Sequence, residues 1–294
     1  MKDVNFLIGL LIILGSSTYA VEIIQVTWPT KHASPPLILE PKVMAWMPAF
    51  RLALGSVPEE TTVNLALAQP ALLGLTMEQA KQLQPLVAEQ YRQMAASAVY
   101  QKAPSLLGYC FSEKTPAHGL ANVHVPDDWT AESPVLVFLH GYGGSFFWYQ
   151  HYLARHFPKH LIICPAWGIS PAKISPAYLN ECLKAVETRL DLRIRAPWLL
   201  GLSAGGFGVL RAAAALPESF AGVICMAAYP VTRPPNQPPH FFIAGSEEPF
   251  VRSGHFLKVT TGAKTHLVKE AGHFFMLTHE DETARTLREW MKKP

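Results

Sequence analysis

The apolar positions of this chain follow two different patterns. From about residue 106 onward, short unbroken apolar runs alternate with stretches in which apolar residues return every three or four positions. Val135–Leu139, Leu161–Cys164, Trp198–Leu202, Gly222–Ala228 and His240–Ala244 show no polar alternation, as strands buried on both faces should. Ala121–Val125 and Thr265–Glu270 read as further extended segments. Helices are expected over Phe146–His156, over Ala204–Leu216 with Pro217 as the stop, and over Thr278–Met291. Another should run to about Leu192, with Ser175 as N-cap and Pro176 at the first helical position. This alternation predicts an α/β fold: a mostly parallel sheet of about eight strands with helices on both faces.

Residues 21 to about 105 read differently. Val26–Phe50 is rich in Pro and Trp, has no sustained period, and is expected to wrap over a surface. Thr76–Val99 predicts a helix. Thr76 and Gln79 form a capping box, and Met77, Ala80, Leu83, Val87, Tyr91, Met94 and Ala98 make one apolar face. Pro85 should kink this helix or split it in two. Residues 21–105 are therefore expected to form an N-terminal extension packed on a domain spanning 106–294, with a lid or partner surface as its functional alternative. The first twenty residues read as a secretory signal. Lys2 gives a short positive region, Phe6–Leu14 an apolar one, and Ser16–Ala20 a small-residue cleavage site after Ala20. The apolar stretch is short for a membrane anchor, so cleavage and export are expected, with no stable membrane span afterwards.

Composition narrows the class. Of 294 residues, 49% are apolar and 16% charged, which excludes disorder. A net charge of +3 without a basic run gives no footprint for nucleic acid. Cys110, Cys164, Cys182 and Cys225 have no C-x-x-C spacing, so a zinc site is not expected; in an exported chain they are either paired or buried free thiols. Neither a metal-binding H-E-x-x-H, a dinucleotide-binding glycine pattern nor a phosphate-binding loop is present, so no cofactor is expected.

The chemistry concentrates at strand ends. Gly201-Leu202-Ser203-Ala204-Gly205 reads G-x-S-x-G between a strand and a helix. A serine on so tight a turn is pushed out of the sheet with its Oγ exposed, and small neighbours let the backbone turn without collision. The other reading is a glycine-rich turn with no chemistry. A nucleophilic serine needs a base, an acid to orient the base, and donors for the developing oxyanion. His140-Gly141-Tyr142-Gly143-Gly144-Ser145 follows Val135–Leu139 and is either an ordinary loop or one that aims the Tyr142 N–H into a cleft. The N–H of Ala204 would be the second donor. Glu247 and Glu248 follow His240–Ala244 as candidate acids. His273 follows Thr265–Glu270 on a Gly-His turn, whereas His266 falls within a strand and His279 in the last helix.

Taken together, His140–Gly144, Gly201–Gly206, the Gly245–Val251 loop and Gly272-His273-Phe274 resemble the α/β-hydrolase family over about residues 106–292. The resemblance implies a Ser203–Glu248–His273 triad, with Glu248 standing where the family more often has Asp. The 201–206 segment, with Ala215–Gly222, more loosely resembles the esterase-D, feruloyl-esterase and polyhydroxybutyrate-depolymerase branches. That implies hydrolysis of a small-molecule or polymer ester. Acyl transfer or peptide cleavage by the same nucleophile, and a non-catalytic binding protein on a hydrolase fold, are the alternatives. Only Tyr229–Pro239 separates two strands where many relatives insert a cap domain; eleven residues, five of them proline, should form a stiff loop and leave an open cleft. Phe146, Phe147, Trp148 and Trp167 are expected near the rim as substrate-binding aromatics, or else in ordinary core packing.

Overall fold

The computed structural model describes residues 21–36, 47–70, 75–230 and 238–292. The expected leader, residues 1–20, and most of the Pro-rich loop, residues 231–237, lie outside the described residues.

Eight strands form one sheet in the order β1-β2-β4-β3-β5-β6-β7-β8. They are β1 Glu22–Pro29, β2 His118–Val125, β3 Val135–Leu139, β4 Leu161–Pro165, β5 Trp198–Leu202, β6 Gly222–Met226, β7 His240–Gly245 and β8 Lys264–Val268. β3 to β8 are mutually parallel, while β2 runs antiparallel to both β1 and β4. The unbroken apolar runs became the centre of the sheet: every residue of β3, β4, β5, β6 and β7 is buried. Each fully buried Leu, Ile or Phe there stabilises the fold by about 1.5–3 kcal/mol relative to an exposed one.

The principal helices are α1 Met47–Ser56, α2 Glu59–Leu67, α3 Met77–Ala95, α4 Phe147–His156, α5 Pro176–Leu190, α6 Ala204–Ala215 and α7 Glu280–Met291. They sandwich the sheet between two cores. One core gathers α3, α4 and α7 side chains such as Leu83, Tyr152 and Trp290 against Leu136 and Leu200; the other gathers α5 and α6 side chains such as Tyr178 and Val209 against Val137 and Leu199. Strict alternation along β3 and β5 divides their residues between the two faces.

Two expectations are corrected. The segment from Val26 was expected to wrap without regular structure, yet Glu22–Pro29 is the edge strand of the sheet, paired with all of β2 from Glu22–Val125 to Pro29–His118. Ile24, Val26 and Trp28 are buried and alternate with exposed residues, the period-two pattern of a half-buried edge. The helix with Pro85 is not split. α3 runs unbroken for 19 residues with its Thr76–Gln79 capping box formed. Pro85 is exposed, so the Lys81 carbonyl it deprives of a partner faces water. α3 ends at Ala95, and Met77 is exposed, so the buried face runs from Ala80 to Met94 and includes Gln90.

Candidate active site

Because β3, β5, β7 and β8 are parallel, the loops that follow them meet at one edge of the sheet. Those loops carry Tyr142, Ser203, Glu248 and His273 respectively.

Ser203 sits between β5 and α6 at φ 53°, ψ −114°, a backbone conformation that costs a non-glycine residue about 1–3 kcal/mol. Two hydrogen bonds hold the turn: the Ser203 N–H donates to the Met226 carbonyl at 2.7 Å, and the Gly206 N–H donates to the Ser203 carbonyl at 2.9 Å. Crowding explains the glycines on either side. A Cβ on Gly205 would lie 2.1 Å from the Leu139 carbonyl oxygen, and one on Gly201 would lie 2.2 Å from the Gly205 carbonyl oxygen. Only glycine lets β3, β5 and α6 approach this closely, and the approach drives the serine outward.

Glu248 and His273 are brought together. His273 Nδ1 donates to Glu248 Oε1 at 2.7 Å. The Glu248 side chain is 6% exposed and that of His273 is 33% exposed, so the acid is enclosed behind a ring that reaches the surface. Glu247, the competing acid, is exposed, and its N–H is tied to the Ala271 carbonyl at 2.9 Å. The two neighbours differ because the turn after β7 points one side chain inward and the other to water. Among the described residues Glu248 is the one side-chain hydrogen-bond partner of His273. Ser203 Oγ is not hydrogen-bonded to the ring in this structure; such bonds often tighten only when substrate is bound.

The loop from His140 to Ser145 runs beside the Ser203 turn. The His140 ring is buried, its Nδ1 is 2.7 Å from the Gly141 carbonyl, and burial pushes its pKa down to about 4, so it stays neutral. The Gly143 N–H donates to the Ile169 carbonyl at 2.8 Å. The Tyr142 N–H makes no backbone hydrogen bond, and Ala204 opens α6, where the first N–H groups have no intrahelical acceptor. Among the described residues neither amide has a backbone acceptor, as an oxyanion donor would require.

The expected rim aromatics divide. Phe146 is partly exposed beside the glycine loop. Phe147, Trp148 and Trp167 are buried at 7%, 3% and 5% exposure. Trp148 packs on Tyr149 with ring centroids 4.0 Å apart, and Trp167 on Tyr178 at 4.9 Å. These two indoles are core residues on opposite faces of the sheet rather than rim residues, because α4 and the turn after β4 fold them inward.

Three features had escaped the sequence. The Tyr142 side chain is 61% exposed on the loop after β3. Tyr229 packs on Phe207, Phe250 and His255, next to the nucleophile helix and the acid loop; its only signal was its place just after β6. On the other side of His273 a cavity of about 110 Å³ is walled by Leu75, Gln79, Gln82 and Leu83 of the N-terminal segment. Contacts so distant in sequence leave no local signal.

All four cysteines are free and buried. Among the described residues, no group of three or more His, Cys, Asp or Glu side chains could hold a metal ion, and no helix is long and apolar enough to cross a membrane.

Residues 134–248 match the family model for the alpha/beta hydrolase fold, a span running from β3 to Glu248. The fold is also similar to that of several solved structures. A predicted CIB-like hydrolase from Thermoplasma acidophilum is 16% identical, with a TM-score of 0.49 over 60% of this chain and 93% of that one. LpqC, a poly(3-hydroxybutyrate) depolymerase from Bordetella parapertussis, is 16% identical, with a TM-score of 0.44 over 53% and 79%. Naproxen esterase from Bacillus subtilis is 14% identical, with a TM-score of 0.43 over 59% and 88%. No curated protein sequence matches the chain.

Proposed function

We propose that this chain, which has the α/β-hydrolase fold, is an exported serine hydrolase of carboxylic esters. The observation that carries the reading is the enclosed Glu248–His273 pair, on the same sheet edge as the strained Ser203 turn. A buried carboxylate behind an accessible imidazole fixes the tautomer with Nδ1 protonated, leaving Nε2 free to take a proton.

The steps follow from these roles. Ser203 Oγ attacks the ester carbonyl carbon while its proton passes to His273 Nε2. The carbonyl oxygen becomes an oxyanion facing the N–H groups of Tyr142 and Ala204. Collapse breaks the bond to the alkoxy oxygen, which leaves as the alcohol with the proton from His273. Water then gives a proton to His273 and attacks the acyl-enzyme carbonyl; collapse of the second oxyanion breaks the bond to Ser203 Oγ, which takes the proton back from His273, and the acid and free Ser203 are released. Glu248 orients the ring and stabilises the imidazolium formed in each half-reaction. No metal or organic cofactor takes part. The alcohol or acyl group extends past Phe146 and Tyr142, as part of either a small molecule or a polymer surface.

Reaction with a fluorophosphonate probe tests this reading. The folded chain should take up one covalent label, lost in Ser203→Ala, and should turn over short acyl esters at a rate that Ser203→Ala and His273→Ala each reduce by at least about 10⁴-fold. A folded protein that accepts no label overturns the proposal.

A further inference from the structure

The loop expected to supply the Tyr142 N–H is poorly held by its own residues. Gly143 and Gly144 follow one another at φ 105° and 120°, so this stretch has little intrinsic preference for one shape. The helix that should fix its far end, α4, begins without a cap of its own: Phe146 at the N-cap offers no side-chain acceptor, and the first turn contains no acidic residue.

The acceptor comes from residues almost ninety positions away. The N–H of Phe147, first residue of α4, donates to Glu59 Oε1 at 2.6 Å. The same oxygen accepts from Tyr91 Oη at 2.7 Å, and Oε2 accepts from Ser105 Oγ at 2.7 Å. Glu59 opens α2, Tyr91 lies on α3, and Ser105 precedes the one-turn helix Leu107–Cys110. Three parts of the N-terminal segment thus converge on a carboxylate that caps α4. The aligned peptide dipoles of α4 favour a negative charge at this end, against the burial that disfavours it. Other contacts hold the segment in place. His151 Nδ1 donates to Gln90 Oε1 at 3.0 Å and Arg155 to Gln93 Oε1 at 2.6 Å, tying α4 along α3. Leu107 stands so close beneath the loop that a Cβ on Gly144 would meet its Cδ2 at 2.9 Å.

We propose that Glu59 is a positioning residue for ester hydrolysis: by capping α4 in place of a local cap, it fixes the far end of the Tyr142 loop and aims that N–H at the oxyanion. This inference rests on the serine-hydrolase reading. It makes residues 21–105 part of the working site rather than a covering, although they lie outside the span that matches the family model.

An oxyanion donor acts in the transition state, so its misalignment lowers kcat more than it raises KM. In the full chain, Glu59→Ala should lower kcat roughly 10- to 100-fold with KM changed less than about twofold, and should slow phosphonate labelling of Ser203 by a similar factor. Glu59→Gln keeps an oxygen for Phe147 and Tyr91 and should recover most of the rate. Val63→Ala loosens α2 from its core without touching Glu59; it should lower Tm and leave kcat within about twofold. Should Glu59→Ala not fold, Glu59→Asp draws the same charge back by one methylene and should show the same kcat-selective loss. Wild-type kcat in a folded Glu59→Ala or Glu59→Asp overturns the proposal, as does an equal kcat loss in Val63→Ala. Absence of label on the wild type removes the serine-hydrolase reading along with it. A labelled wild type and an equally fast Glu59→Ala remove only the positioning role.

Discussion

Glu248 and His273, 25 positions apart in the chain, are joined by a 2.7 Å hydrogen bond between Oε1 and Nδ1, with the carboxylate enclosed and the ring at the surface. Glu247, one residue away, faces water. The same turn therefore gives two chemically identical side chains different capacities. Only the enclosed one touches the His273 ring.

That difference is directly testable. Glu248→Gln preserves the shape but offers an amide that no longer fixes the tautomer, and should lower kcat by about 10³–10⁴-fold with little change in Tm. Glu247→Gln should leave kcat within about twofold. Steady-state kinetics on one short acyl ester measures both. The reverse ranking would transfer the orienting role to Glu247.

Acid sensitivity follows from burial of histidines. His124, His140 and His151 are each pushed down to about 4, in every case chiefly because burial disfavours the charged ring. In the unfolded chain they titrate near 6.5. Between about pH 6.5 and 4 the unfolded state takes up protons that the folded state refuses. Stability is therefore fully present above that window and falls as pH drops through it, each group approaching a slope of about 1.4 kcal/mol per pH unit. Glu59 opposes this: burial raises its pKa, so its contribution weakens as pH rises above the ordinary carboxylate range. Burial lowers His156, His160 and His240 as well, and six histidines against one glutamate leave a net loss on acidification. Urea midpoints measured at pH 7.5 and 5.0 should fall, and His124→Leu should lessen the fall. Equal midpoints at the two pH values would contradict the account.

Pro85 sits in the interior of α3 with its ring toward water. Replacing it by alanine restores an N–H donor to the Lys81 carbonyl and removes the ring. Proline costs about 3 kcal/mol in a helix interior, offset in part by the freedom alanine returns to the unfolded chain. Pro85→Ala should stabilise the protein by roughly 1–2 kcal/mol in chemical denaturation. A loss of stability would show that the ring packs favourably where the helix bends.

How far the sequence reached differs from one element to the next. β3 and β5 were read with their observed limits, and α4 and α6 to within a residue, since unbroken apolar runs and helical periodicity are local. Ser203 was legible because G-x-S-x-G between a strand and a helix meets a steric demand that the sequence itself displays. β1 was missed: Ile24, Val26 and Trp28 alternate over only a few residues, and an edge strand is recognised mainly by the partner it finds. Of the expected rim aromatics Phe146 stays partly exposed, while Trp148 and Trp167 took the alternative of core packing for a related reason. Trp148 and Trp167 have the same side chain whether they line a cleft or fill a core, and only the packing of α4 and α5 turned them inward.

By itself, the sequence determined what is encoded over neighbouring residues: the alternation that makes the parallel sheet, the glycines that sharpen the Ser203 turn, and the order in which serine, acid and histidine follow their strands. Tertiary structure alone decided which of two adjacent glutamates lies enclosed behind His273, and that α4 takes its cap from Glu59, 88 positions before Phe147. Local preferences act through backbone geometry a few residues long. Enclosure and remote capping exist only once distant segments have closed water out between them.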